Sequence, residues 1–371
     1  MTRAAATPAL RRALGAIAAL AAMAPVLAAS QDEGGTPRID NSMVLDSDLP
    51  TPMDAEPSAG DISSEIFGKR DDAYGAYQRG FYLTALALAL PRAENADPAA
   101  QTLIGEIYAN GLGVPPNVAT ASSWYQLAAK NGDRMAAFEL GLLYLHGLGV
   151  PENHARAAEL FKQAADKSYP PAQYNLALMH LEGENAAPSL ADAARLMQAA
   201  ADAGLAEAQY DYGTMLIQGA GVTPNTAEGA KQIGLAAEQG LLEAQIDYAT
   251  LLYLGEGVTR DLNAAVGWYQ RAANAGNPVA QNRYAKLLAV GEGVTLDLTE
   301  AAMWRALARR QGLSDPVLDK LLVGISSADL AAAEERARFW PSKPPTAAAE
   351  TELEPSVPPA VSSESSSEAQ G

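Results

Sequence analysis

Residues 98–133 read PAAQTLIGEIYANGLGVPPNVATASSWYQLAAKNGD, and residues 134–169 read RMAAFELGLLYLHGLGVPENHARAAELFKQAADKSY. The two stretches align without a gap, and the register continues. Ala100-Gln101 returns as Ala172-Gln173, Ala208-Gln209, Ala244-Gln245 and Ala280-Gln281, with Ala136-Ala137 filling the intervening place, so the period is 36 residues. A fixed period of this length marks units that bury their apolar faces only by stacking on one another. Six full units follow: 98–133, 134–169, 170–205, 206–241, 242–277 and 278–313. An abbreviated unit precedes them, with Arg79-Gly80 in place of the longer loop, and Pro316–Val323 and Ala328–Trp340 close the array.

Each unit carries two helical periods. In the first, helix A is expected near 99–110 and helix B near 119–131. Ala121, Trp124, Tyr125, Ala128 and Ala129 then share one apolar face of helix B. The Trp124 position recurs as Leu160, Leu196, Gln232, Trp268 and Trp304, a pattern that reads as core filling rather than a ligand stripe. Helix B ends at Gly132, Gly204, Gly240, Gly276 or Gly312, a C-cap position that favours positive φ, with Ser168 as the exception. On helix A the pairs Ile104/Tyr108, Leu140/Tyr144, Leu176/His180, Tyr212/Leu216, Tyr248/Leu252 and Tyr284/Leu288 each combine one ring with one aliphatic side chain. The order reverses at the fourth unit, two ways of filling one volume.

The A-to-B loop YANGLGVPPN at 108–117 has the glycine spacing of a phosphate cradle. Its copies HGLGVPEN, QGAGVTPN, GEGVTRD and GEGVTLD are followed by no recurrent lysine or hydroxyl. In the third unit the loop reads EGENAAPS, where Asn185 replaces the second glycine. Asn tolerates left-handed backbone better than most residues, so the loop keeps its geometry while losing its motif. Asn117, Asn153, Asn225, Asp261 and Asp297 stand where helix B needs an N-cap. The loop reads as a joint between helices.

The recurrent A-Q-x-x-L/Y-G/A-x-L-Y/L-x-x-G-x-G-V-x-x-N/D, followed by A-x-x-W/L-Y/F-x-x-A-A-x-x-G, resembles the Sel-1-like repeats, relatives of the tetratricopeptide repeats. The resemblance covers 98–313 and is looser from Asp72 and through the closing helices. It implies an all-α fold, a right-handed α/α superhelical solenoid of six helix-turn-helix repeats capped at both ends, and a role in protein–protein assembly. It also implies that helix A lines the concave side. Some relatives are cysteine-rich and act on β-lactams; this chain has no cysteine, so nothing of that subclass carries over.

The 371 residues are 48% hydrophobic, and acidic residues exceed basic ones by 44 to 26. That balance argues against nucleic acid and against a polybasic membrane role. Without cysteine, and with only His146, His154 and His180, disulfides, thiolate sites and histidine-rich centres have no material. No G-x-S-x-G, H-E-x-x-H or phosphate-binding G-K-[ST] occurs. The chain reads as non-enzymatic, with no catalytic, metal or cofactor-binding residue and no cofactor.

Residues 1–30 have the layout of a secretory signal peptide. Arg3, Arg11 and Arg12 precede the apolar Ala13–Leu27, and small residues at Ala28–Ser30 offer a cleavage site. The mature chain is expected in the periplasm or medium, without an integral span; an uncleaved N-terminal anchor is the alternative. Residues 31–61 carry eight acidic residues, and 341–371 carry five amid Pro and Ser; both are expected to be disordered. The solenoid is expected over 62–340.

The expected partner surface is a variable stripe of helix A. Phe138, Leu142 and Leu145 in the second unit and Tyr174, Leu178 and Leu181 in the third both follow i, i+4, i+7, and Tyr210 and Ile217 extend them. This strip is a candidate groove for a peptide or helix of another protein; the competing expectation is packing between successive A helices. A cell-wall or glycan-binding module is the alternative function, with an enzyme of unrecognised type behind it.

Overall fold

The computed structural model describes residues 72–183 and 189–342, which form sixteen α-helices and no strands. The signal segment, the 31–61 linker, residues 62–71, the Asn185 joint and the tail from 343 onward lie outside the described residues. The chain divides into two units between Leu241 and Leu242, a repeat boundary.

The first unit holds α1 (Asp72–Gln78), α2 (Tyr82–Glu94), α3 (Pro98–Asn110), α4 (Val118–Lys130), α5 (Arg134–His146), α6 (His154–Ala165), α7 (Pro170–Glu182), α8 (Leu190–Asp202), α9 (Ala206–Gln218) and α10 (Thr226–Glu238). The second holds α11 (Leu242–Leu254), α12 (Leu262–Asn274), α13 (Pro278–Val290), α14 (Leu298–Arg310), α15 (Pro316–Leu321) and α16 (Ser327–Phe339). Each of the six repeats is one pair, helix A then helix B, packed on its neighbours in sequence within each unit.

Local chemistry sets the helix ends. The side chains of Asn117, Asn153, Ser189, Asn225, Asp261 and Asp297 each accept from a backbone N–H three residues on, capping helix B of all six repeats. Asp97, Asp133 and Asn277 do the same for α3, α5 and α13. The turns after helix B are left-handed at Gly132, Gly204, Gly240, Gly276 and Gly312, and also at Ser168 (φ +54°) and Ala96 (φ +62°).

In the A-to-B joint, Gly111 (φ +65°) caps α3, and its N–H and that of Leu112 both donate to the Ile107 carbonyl. Asn117 N–H donates to Tyr108 O at 2.8 Å. Donors that an anion would need are thus committed to the helix end. The second glycine has a different task. A Cβ on Gly149 would lie 2.8 Å from the Val118 carbonyl carbon, and one on Gly221 would lie 2.1 Å from Leu190 O. There the loop rests on the start of the preceding helix B.

The core is built from small residues facing large ones. A Cβ on Gly105 would come 2.6 Å from the Tyr125 ring, and one on Gly141 equally close to Phe161. Phe161 is fully buried, and Met197, Ile233 and Tyr269 fill the same place in later repeats. In the first five repeats this position, one residue beyond the tryptophan slot, is more buried than the slot itself; in the sixth it is Arg305, half-buried, and Trp304 is the buried one. The expected tryptophan core holds in part, since Trp124 and Trp268 flank core clusters rather than enter them. Trp304 is buried, but Trp124 and Trp268 are half-buried, and the Arg271 guanidinium lies 4.4 Å over the Trp268 ring.

The recurrent glutamine of helix A joins repeats. Gln101 Nε2 donates to Ala93 O at the end of the preceding helix B, and its Oε1 accepts from Asn131. Gln209 and Gln281 repeat both bonds, to Ala201 O and Ala273 O and from Gln239 and Gln311. Where Ala137 replaces it, Gln163 of α6 supplies the missing donor to Ala129 O at 2.7 Å.

Candidate functional site

The sequence-derived strip lies wholly in the first unit. Tyr174, Leu178 and Tyr210 are buried, with 5–8% exposure, whereas Phe138, Leu142, Leu145, Leu181 and Ile217 are half-buried. Phe138 packs edge-on to Tyr169 at 5.4 Å and near Phe161 at 5.7 Å. Leu142, Leu145 and Leu181 flank the core cluster that contains Tyr174 and Leu178. The strip is thus an inner row joined to the core and an outer row open along one side.

A second feature was hidden in a core-like column of helix A, which reads Leu103, Glu139, Asn175, Asp211, Asp247 and Arg283 down the repeats. Asp211 is 1% exposed. The Tyr174 hydroxyl donates to its Oδ2 at 2.9 Å, tying α7 to α9, but its Oδ1 meets no donor among the described residues. Burial pushes the Asp211 carboxyl up to about 7; the Tyr174 bond pulls it back, and the Glu207 charge adds to the rise. The only available sequence signal was an acid in a column that opens with leucine.

Glu139 of α5 has no hydrogen bond or ion pair among the described residues. Burial, with the charge of Glu106 behind it, raises its carboxyl to about 7. Glu106 is also raised by burial, with the Tyr77 hydroxyl pulling it back. The Asn110 amide reaches it at 3.4 Å. A neutral, protonated carboxyl is the ordinary response to burial without a cation.

On the same face of the second unit, Arg283, Glu292, Lys286 and Asp315 have partners. Arg283 donates to the Thr250 hydroxyl, and to Tyr269 Oη at 3.1 Å. Glu292 accepts from Tyr253 at 2.9 Å and from Arg260 at 3.2 Å. Lys286 (2.5 Å) and Asn282 (2.7 Å) both reach Asp315. Burial alone would raise Asp315, yet these bonds and that from Leu318 N–H hold it down to about 2.

Stacked helix pairs with a matched core and a varied helix-A face define a repeat scaffold. The Sel1 repeat family model matches residues 98–133, 134–169, 170–205, 206–241, 242–277 and 278–313, and the chain belongs to that family. Among solved structures, it is similar to a protective antigen of uropathogenic Escherichia coli displaying an SLR fold, at 28% identity and a TM-score of 0.60. That match covers 68% of this chain and 55% of the antigen, so this chain spans about half of its length. A Sel1 repeat protein from Oxalobacter formigenes is similar at 28% identity and a TM-score of 0.58, over 65% of this chain and 98% of that one. No curated protein matches the sequence.

Proposed function

We propose that this chain is an exported, non-enzymatic adaptor or regulator that receives a peptide or helix of a partner protein on the helix-A face of repeats two to four. Sel1 repeats are in general protein-interaction modules, and the finer reading rests on one observation. Along the outer row of the strip, Leu142, Leu145, Leu181 and Ile217 keep part of their apolar surface open beside a packed inner row. A rigid, ridged apolar edge suits the spaced anchors of an extended or helical segment. The apolar N-terminal run with its flanking arginines supports export, and no helix among the described residues is long and apolar enough to cross a membrane.

The test uses the outer row, because truncating Tyr174 would strip Asp211 of its donor. Leu142→Ser, Leu145→Ser and Leu181→Ser are combined, and the full chain is crosslinked in its native compartment. The expected result is selective loss of one protein adduct, with the helical fold retained by circular dichroism. Retention of that adduct, or recovery of cell-wall material in its place, overturns the reading. Export is checked by fusing residues 1–40 to a reporter that is active only outside the cytoplasm; an inactive fusion removes that element.

A further inference from the structure

A cleft of about 450 Å³ opens in the first unit. Its walls include Tyr74 and Tyr77 of α1, Thr102, Leu103 and Glu106 of α3, and Met135 of α5. Tyr74 is 50% exposed and stacks on Tyr77 with ring centroids 6.1 Å apart. Glu139 follows Met135 by four residues, one turn along the same face of α5. Its charge and that of Glu106 act on each other. The cleft therefore combines open ring surface with the Glu106 carboxylate, and the half-buried Glu139, one turn beyond Met135, carries a second charge that acts on it.

The cations nearby are already engaged. Arg92 lines the cleft, but Asp97 holds its guanidinium through bonds of 2.7 and 2.9 Å. Arg134 lies over the Tyr169 ring and donates to Lys167 O. Asp133, also at the cleft, caps α5. An anionic guest would meet like charge, and a neutral sugar could stack on the rings but would leave both carboxylates without a counter-charge. A guanidinium answers both demands, since its planar fork bridges carboxylates while its face stacks on aromatic rings.

We propose that this cleft receives an arginine side chain from a basic segment of the partner, its guanidinium bridging Glu106 and Glu139 against the Tyr74 and Tyr77 rings. The proposal rests on the adaptor reading and names the chemistry of its partner. It carries a pH signature. Both carboxylates must be ionised to hold the cation, and both are raised by burial, so binding releases protons and tightens from pH 5 to pH 8. The other groups facing them, Tyr77, Tyr125 and Tyr169, are raised further from this range by burial.

The experiment titrates the full chain with fluorescein-labelled GSGRAARGSG, and with the same peptide carrying citrulline in place of arginine, by fluorescence anisotropy. Binding at least tenfold tighter for the arginine peptide is expected. Glu106→Gln combined with Glu139→Gln should lower affinity at least tenfold and abolish the pH dependence. A control pair, Glu238→Gln with Glu334→Gln, changes the net charge equally at exposed sites and should leave affinity within twofold. No arginine preference, or an equal loss in the control pair, overturns the proposal; the second outcome assigns binding to the general acidity of the chain. The two readings fail separately. If the outer-row variant loses its protein adduct while the peptide does not bind, only the cleft falls; if the peptide binds while the adduct survives that variant, only the strip falls.

Discussion

The helix-A faces of the two units are built on one repeat plan but treat charge in opposite ways. In residues 242–342 Arg283, Glu292 and Asp315 meet partners from a neighbouring repeat, as Asp315 does with Lys286 and Asn282. In residues 72–241 Glu139 stands without such a partner, and Asp211 is satisfied at one oxygen only. The second face is internally closed, and the first keeps an electrostatic cost that an incoming cation or a proton removes. Its backbone differs in the same direction. Among the described residues, the two non-glycine residues with positive φ, Ala96 and Ser168, lie in the first unit, whereas the corresponding joints of the second unit have Gly276 and Gly312.

The largest expected effect breaks this contrast through pH. The Asp211 carboxyl titrates at about 7 in the fold, against an ordinary value of 3.8. Between these values the folded chain holds a proton that the unfolded chain has lost. Stability from this group is therefore full below about pH 4, falls as pH rises through 7, and then levels. Linkage gives a loss of about 3 kcal/mol between pH 5 and pH 8, or roughly 10 °C in melting temperature. Glu139 acts in the same direction. Thermal melts of Asp211→Asn should lose about half of the wild-type pH slope, the rest staying with Glu139; an unchanged slope would refute the assignment.

A smaller effect comes from opening the closed face. Lys286→Met leaves Asp315 with its cap and amide contacts but no ammonium. Because Lys286 is 37% exposed, solvent screens part of the loss, and a cost of about 1–2 kcal/mol is expected by chemical denaturation. The midpoint should move little if the pair is only a surface contact. Smallest is the backbone term: Ser168→Gly should stabilise by about 1 kcal/mol, because a left-handed conformation costs an L-residue about that much. The same change at Ser326, an N-cap outside any left-handed turn, should not stabilise.

The strip shows how far residue patterns reach. The i, i+4, i+7 spacing puts Phe138, Leu142 and Leu145 on one stripe of α5, but it could not tell an inner row from an outer one. Tyr174 and Tyr210 are buried, and Tyr174 bonds to Asp211 of the next helix A, a property of stacking rather than of spacing. The tryptophans carry the same lesson. Position 124 and its equivalents lie on the apolar period, yet in the first five repeats the residue after each is the more buried, and Tyr125, Phe161 and Ile233 face a helix-A glycine.

Sequence alone determined what depends on neighbours within a turn or two: the period of 36, the caps at Asn117 and its copies, the left-handed glycines, and the exchange of ring and aliphatic side chains. These follow from backbone hydrogen bonding and φ, which are local. Tertiary structure decided the partners some 30–39 residues apart: Gln101 with Asn131, Tyr174 with Asp211, and Tyr253 with Glu292. Those pairings require one repeat to be laid on the next, so burial and charge balance on the helix-A face emerge only when the helices stack.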